Sequence, residues 1–240
     1  MCDRHLLPFL RNQQVPLDRP ILDVGCGTGG FTIALADTLQ VPVTGIDLKE
    51  DSISVGRKVA AAASIALQFH VLDILQDKIP GDTYGLIIMR DVIEHIPNFQ
   101  IALKRLRPKL DADGYLYISF PPWRSPYAGH QHYAKSAVRF MPYLHAVAPS
   151  LFLKLLHRWE PMRKDWLADV QQIVANRISM HKFELAARRC GWKIEHSKTY
   201  FLRPAFFRMG LPTVPNGWIG RLPWIGECIT TGCEYLLRPK

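Results

Sequence analysis

Ile21-Leu22-Asp23-Val24-Gly25-Cys26-Gly27-Thr28-Gly29-Gly30 is the stretch on which the fold is decided. An apolar run ends in glycines that meet the Gly-x-Gly-x-x-Gly pattern, and a helical pattern over residues 30–39 follows at once. Glycines between a strand and a helix let the chain turn tightly and bring backbone N–H groups close to a ligand. Alone they indicate a nucleotide-type cofactor and leave NAD and FAD open.

Working outward, short β-rich runs alternate with helical patterns, which is the signature of βαβ units around a parallel sheet. The runs at 20–24, 43–47, 67–72, 84–89 and 115–120 predict strands. Helices are predicted over 30–39, 51–63 and 98–110, the last with Ile101, Leu103, Leu106 and Leu110 on one side and Asn98 as N-cap. Asp111-Ala112-Asp113-Gly114 predicts the turn into the fifth strand. At Pro121-Pro122 the alternation stops. Residues 121–178 form an insertion, or lid, with apolar helical stretches near 144–159 and 162–174. The pattern then resumes with a helix over 180–190, stopped by Gly191, and a strand over 193–201. An irregular stretch punctuated by Pro204, Pro212, Pro215 and Pro223 precedes a final strand over 228–237. The expectation is one domain, 1–240.

Acids complete the pattern. Asp23, separated from the glycines by one residue, would repel a pyrophosphate but suits a ligand that carries an ammonium group and no phosphate. Asp47 closes Gly45-Ile46-Asp47 at the end of the second strand, and Asp73 lies in Val71-Leu72-Asp73-Ile74. Downstream, Asp91-Val92-Ile93-Glu94-His95-Ile96-Pro97 follows the fourth strand. Together these strings resemble the class I S-adenosylmethionine-dependent methyltransferases, in their small-molecule, methyltransferase type 11-like group. The resemblance covers about residues 18–120 and, more loosely, those from Met180 onward. It implies an α/β, Rossmann-like doubly wound sheet, mostly parallel with an antiparallel last strand, and an insertion after the fifth strand.

It also implies S-adenosylmethionine as cofactor, with S-adenosylhomocysteine as product. In that family the acid matching Asp47 binds the ribose hydroxyls. The acid matching Asp73 takes the adenine amino group, and the next N–H, that of Ile74, meets the ring. Asp23, Gly25, Cys26, Gly27, Gly29, Leu48, Arg90, Asp91 and His95 complete the implied cofactor set. Glu94 and His95 can equally be structural, beginning a helix over the sheet edge. His130 and His132, in Gly129-His130-Gln131-His132-Tyr133 just past the fifth strand, are the candidate catalytic bases, with Tyr127 and Tyr133 shaping the pocket. No metal is expected, because no acid pair or third ligand stands near these histidines in the sequence.

Composition narrows the remaining classes. Apolar residues at 48% and charged residues at 21% fit a globular chain. The five cysteines are scattered without a Cys-x-x-Cys pair, so a zinc ribbon or disulfide scaffold is not expected and a reducing, cytoplasmic setting is. Residues 1–10 lack the uninterrupted apolar core of a signal peptide. Charge divides sharply. Residues 1–120 hold 12 Lys/Arg against 14 Asp/Glu, whereas residues 121–240 hold 18 against 7, a net +11. A basic acceptor side favours a small anionic acceptor: a sugar, glycolipid or secondary metabolite, with O-methylation first. An RNA acceptor, less favoured, and a non-catalytic cofactor-binding partner subunit stay open. So does contact of the aromatic and basic stretch around Phe206, Phe207, Arg208, Trp218 and Arg221 with a membrane surface. Oligomeric state is not encoded legibly.

Overall fold

The computed structural model describes residues 2–222 and 225–240. Met1, Pro223 and Trp224 lie outside these, as do the side chains of Cys2, Asp3 and Arg208. The sequence readings at Pro223 and Arg208, and those of the cysteine set at Cys2 and of residues 1–10 at Met1 and Asp3, therefore fall outside what is described.

One turn of π-helix, Cys2–Leu6, leads into α1 (Leu7–Asn12). The alternating section is β1 (Ile21–Val24), α2 (Gly30–Leu39), β2 (Val43–Asp47), α3 (Glu50–Ala62), β3 (Gln68–Val71), β4 (Tyr84–Arg90), α4 (Phe99–Leu106) and β5 (Leu110–Phe120). In the insertion come α5 (Leu144–Val147), α6 (Pro149–Trp159) and α7 (Lys164–Asn176). The chain then returns through α8 (Met180–Arg189), β6 (Trp192–Leu202), β7 (Val214–Pro215), α9 (Ile225–Cys228) and β8 (Gly232–Pro239).

The strands form one sheet in the order β3-β2-β1-β4-β5-β8-β6-β7. β1 pairs in parallel with both β2 and β4, so the strand order reverses between them. β8 runs antiparallel between β5 and β6, as the fold class required of a late strand. β1 and the first six residues of β4 are buried, because helices cover both faces. On one face Leu22, Val24, Ile87, Met89 and Ile118 pack against Phe99, Leu103, Phe183 and Trp192. On the other, Ile21, Leu86 and Ile88 meet Leu7, Leu10 and Leu35. The insertion builds an apolar core of its own from Trp123, Val138, Phe152, Leu156, Val170 and Ile173. No helix among the described residues is long and apolar enough to cross a membrane.

Three local expectations need correction. Residues 111–114 are not a separate turn. They lie within β5 as an irregularity between the pairs Tyr84–Leu110 and Leu86–Tyr115, where Asp113 pairs with Arg19. Asn98 precedes α4 in a left-handed conformation, φ 50°, and its side chain makes no capping bond. Residues 225–228 are helical, and Thr230 Oγ1 donates to the Gly226 carbonyl, so the last strand waits until Gly232.

Candidate functional site

Open α/β sheets bind ligands beyond the carboxyl ends of their strands, where the strand order reverses. Here that place is a cavity of about 470 Å³, within the range of about 300–1,000 Å³ common for small-molecule sites. Residues just past β1, β2, β3 and β4 line it.

The glycine turn forms one wall. Gly25 N and Cys26 N both donate to the Ile46 carbonyl, at 2.8 and 3.0 Å, which ties the turn to β2. Gly25 and Gly29 have φ of +70° and +75°, and a Cβ on either would strike Val92 or Phe69 at 2.3 Å. At Gly27, φ +55°, a Cβ would meet nothing within 4 Å: the space beyond it is the cavity. Gly27 N donates to Asp47 Oδ2 at 2.8 Å and Lys49 N to Asp47 Oδ1 at 2.9 Å, so one carboxylate joins the glycine turn to the end of β2.

Of the residues assigned to the cofactor from sequence, Gly25, Gly27, Asp47, Leu48, Asp73, Ile74, Asp91 and His95 line this cavity. Asp23, Cys26, Gly29 and Arg90 do not line it. Asp23 is buried behind the turn and accepts from Thr32 Oγ1 at 2.7 Å; burial pushes its carboxyl up to about 6. The Cys26 thiol is also pushed up by burial, and Gly29 packs on Phe69. Arg90 stacks over Phe31, 3.9 Å from the ring centroid. Asp73 accepts from Leu75 N and Gln76 Nε2, so its carboxylate shapes the turn that brings Ile74 and Leu75 to the cavity.

The lining is acidic. Asp47, Asp73, Asp91 and Asp169 face Lys49 as the sole lysine. A pyrophosphate would meet repulsion there, whereas a ligand carrying a sulfonium and an ammonium fits, as does an adenosine moiety beside Ile74 and Leu75. Asp169 belongs to α7, and sequence reasoning missed it; nothing in the local pattern signals that an insertion helix reaches the cavity. Lys49 Nζ lies 3.1 Å from its Oδ2. Farther along α7, Asn176 Nδ2 donates to the carbonyls of Glu94 and Ile96 at 2.8 and 3.0 Å.

The turn after β4 holds the most unusual chemistry. Asp91 has φ 54° and takes a two-pronged contact from Arg203 of the basic half. Glu94 is only 3% exposed, and neither of its carboxylate oxygens has a hydrogen-bond partner. Burial, with Asp91 close by, pushes its pKa well above the ordinary carboxylate range. His130 Nε2 stands 3.9 Å from Glu94 Oε1, and the His130 and His95 rings are 5.2 Å apart. Burial lowers the pKa of both imidazoles, His130 the more strongly.

The insertion loop is held firmly in this position. Buried Gln131 donates through Nε2 to the Pro126 carbonyl and to His145 Nδ1, each at 3.0 Å. His145 Nε2 lies 2.9 Å from the Trp123 carbonyl, a contact that requires its proton on Nε2 and leaves Nδ1 to accept. His132, one residue beyond Gln131, is exposed and turns toward Tyr133 and Tyr127, with ring centroids at 4.0 and 6.1 Å. The two histidines stay in edge contact, ring centroids 5.9 Å apart, but differ in surroundings: His130 joins Glu94 and His95, and His132 is exposed on the outer side of the loop. The two further potential ligands that the sequence did not offer near His130, Glu94 and His95, come from the β4 turn.

Comparison with known proteins agrees with this geometry. A methyltransferase-domain family model matches residues 18–159. Phosphoethanolamine N-methyltransferase 3 of Arabidopsis thaliana is 33% identical over 99 residues, 41% of this chain and 20% of the relative. The ubiquinone biosynthesis O-methyltransferase of Glaesserella parasuis is 33% identical over 106 residues, 42% of this chain and 44% of that protein. The matched region therefore spans less than half the length of these relatives. A SAM-dependent methyltransferase structure from Methanosarcina mazei superposes with a TM-score of 0.58 at 15% identity, covering 98% of each chain, which shows the shared fold.

Proposed function

Because the chain belongs to the methyltransferase-domain family and uses S-adenosylmethionine as its cofactor, we propose that it methylates an oxygen of a small anionic acceptor. The observation that carries this reading is the charge change across Asp91. The cofactor cavity is acid-lined, whereas Arg203 stands on the other side of that carboxylate, within the half of net charge +11. The phosphoethanolamine named for the plant relatives supports an anionic acceptor, and the O-methyltransferase name of the bacterial ones supports oxygen.

S-adenosylmethionine supplies a methyl group on a cationic sulfur. What the protein contributes is alignment and exclusion of water. Asp47 and the backbone of the glycine turn hold one end of the ligand, and Asp91 and His95 border the other. Helix α7 covers the site through Asp169 and through the Asn176 bonds to the β4 turn. At the rim, His132 offers an imidazole nitrogen to the acceptor's hydroxyl, with Tyr127 and Tyr133 around it.

The test is turnover of matched acceptors with and without a phosphate or carboxylate, followed by transfer of a labelled methyl group. Turnover should require the anionic member and should fall about 10²–10⁴-fold in His132→Ala at unchanged affinity for S-adenosylhomocysteine. Equal turnover of neutral acceptors, or label recovered in RNA, would overturn the proposal.

A further inference from the structure

We propose that Glu94, His95 and His130 form a binding site for a divalent transition-metal ion, zinc by its ligand chemistry, at the Asp91–His95 end of the cofactor cavity. The proposal deepens the acceptor reading above and rests on it for its role.

The first observation is convergence. One ligand atom from each of the three residues lies within 4.8 Å of the others, although they come from the turn after β4 and from the insertion. Two imidazoles and one carboxylate are the set of an open zinc site, with a fourth position left for an exchangeable ligand. Zinc bonds of about 2.0–2.2 Å place neighbouring ligand atoms roughly 3.3 Å apart, so side-chain adjustments of about 1 Å close the site.

The second observation is the state of Glu94. Five carboxylates are buried among the described residues: Asp23, Glu94, Glu160, Glu227 and Glu234. Asp23 accepts from Thr32, Glu160 from the Lys135 and Ser136 amides, Glu227 from the Arg124 amide, and Glu234 from Tyr117 and Tyr200. Glu94 alone of these has both oxygens without a partner. A buried carboxylate left so is costly; Glu94 Oε1 lies 3.9 Å from His130 Nε2, and one carboxylate oxygen lies within 4.8 Å of a nitrogen of His95 as well. A cation between the three groups resolves that.

Neighbouring charge permits it. Arg203 acts on Glu94 and His130 and Lys49 on His95, and each of these cations is paired with a carboxylate, Arg203 with Asp91 and Lys49 with Asp169. Access exists as well, because His95 borders the cofactor cavity. An ion there would present its open position to an anionic oxygen of the acceptor, which gives the insertion histidine a role that sequence spacing did not indicate.

The experiment uses the whole chain, stripped by chelator and titrated with Co²⁺, whose visible absorption reports its ligand field. The expected result is one Co²⁺ per chain, displaced by Zn²⁺, with affinity at least about tenfold weaker in Glu94→Gln and in His130→Ala. His157→Ala, whose imidazole lies on exposed α6 against Gln171, should bind as the wild type does. An anomalous-scattering peak in zinc-soaked wild-type crystals, flanked by the three side chains, tests the site without any variant. Absence of the absorption, a peak elsewhere, or wild-type affinity in Glu94→Gln would overturn it. Calorimetry with S-adenosylhomocysteine in EDTA keeps the two proposals distinct. Binding there with no Co²⁺ spectrum defeats only the metal site; no binding defeats the methyltransferase reading itself.

Discussion

Arg203 and Asp91, 112 residues apart in sequence, meet through two hydrogen bonds, Nη1 to Oδ1 at 3.0 Å and Nη2 to Oδ2 at 2.7 Å. The pair joins the segment after β6 to the end of β4, beside the cavity proposed for the cofactor. Such two-pronged contacts combine charge with a fixed geometry that lysine cannot copy.

Arg203→Met should therefore leave Asp91 without its partner. The pair is partly shielded from solvent, so the loss falls between those of exposed and buried ion pairs, on the order of 2 kcal/mol. Urea denaturation measures it, and Arg203→Lys should recover only part. Unchanged stability in Arg203→Met would show that the contact is incidental.

Asp47 is the hinge between the glycine turn and β2. In Asp47→Asn one of the two backbone donors, Gly27 N or Lys49 N, faces an amide N–H instead of an oxygen. Hydrogen bonds to a charged group contribute about 1.5–3 kcal/mol, so affinity for S-adenosylhomocysteine should drop about 10–100-fold in calorimetry. Wild-type affinity would remove Asp47 from the cofactor site.

The glycines differ in what replacement meets. Gly29→Ala adds a Cβ against Phe69 at a left-handed φ, and backbone strain with overpacking should destabilise the fold by about 2–4 kcal/mol. Gly27→Ala meets only cavity space, so its effect should include weakened S-adenosylhomocysteine binding with a smaller loss of stability. Thermal unfolding with and without S-adenosylhomocysteine separates the two; the reverse pattern would contradict this view of the turn.

Asp23 predicts a pH dependence. Its carboxyl is held at about 6 in the folded chain against an ordinary 3.8, so the native state binds that proton more tightly than the unfolded state does. Its contribution is then most favourable below pH 3.8 and is lost as pH rises through 6, a change of about 3 kcal/mol. Asp23→Asn keeps an oxygen for Thr32 and should abolish that part of the slope. Denaturation curves from pH 4 to 7 report it, and identical slopes in both proteins would refute the assignment.

Much of the fold was legible because its signals are local. The predicted strand at 43–47 and the helix at 30–39 match β2 and α2 residue for residue. Boundaries failed where tertiary contacts override local preference. Arg19 draws Asp113 into an irregular strand, and the bond from Thr230 to the Gly226 carbonyl delays β8. Within the candidate site, Gly27 and Asp47 could be read because turn and acid stand at the ends of adjacent parallel strands.

Spacing along the chain, with glycine's access to positive φ and the two-residue period of strands, determined the strand–turn–helix order and the class of cofactor. It could not determine which side chains face which. Asp23 went behind the turn rather than into the cavity, Asp169 entered the cavity from an insertion helix, and His130 met Glu94 and His95 while His132 did not. The first outcome depends on Thr32 of α2, and the other two on how α7 and the loop at 121–143 close over the turn after β4. That closure is a packing result among segments tens of residues apart, and no local pattern encodes it.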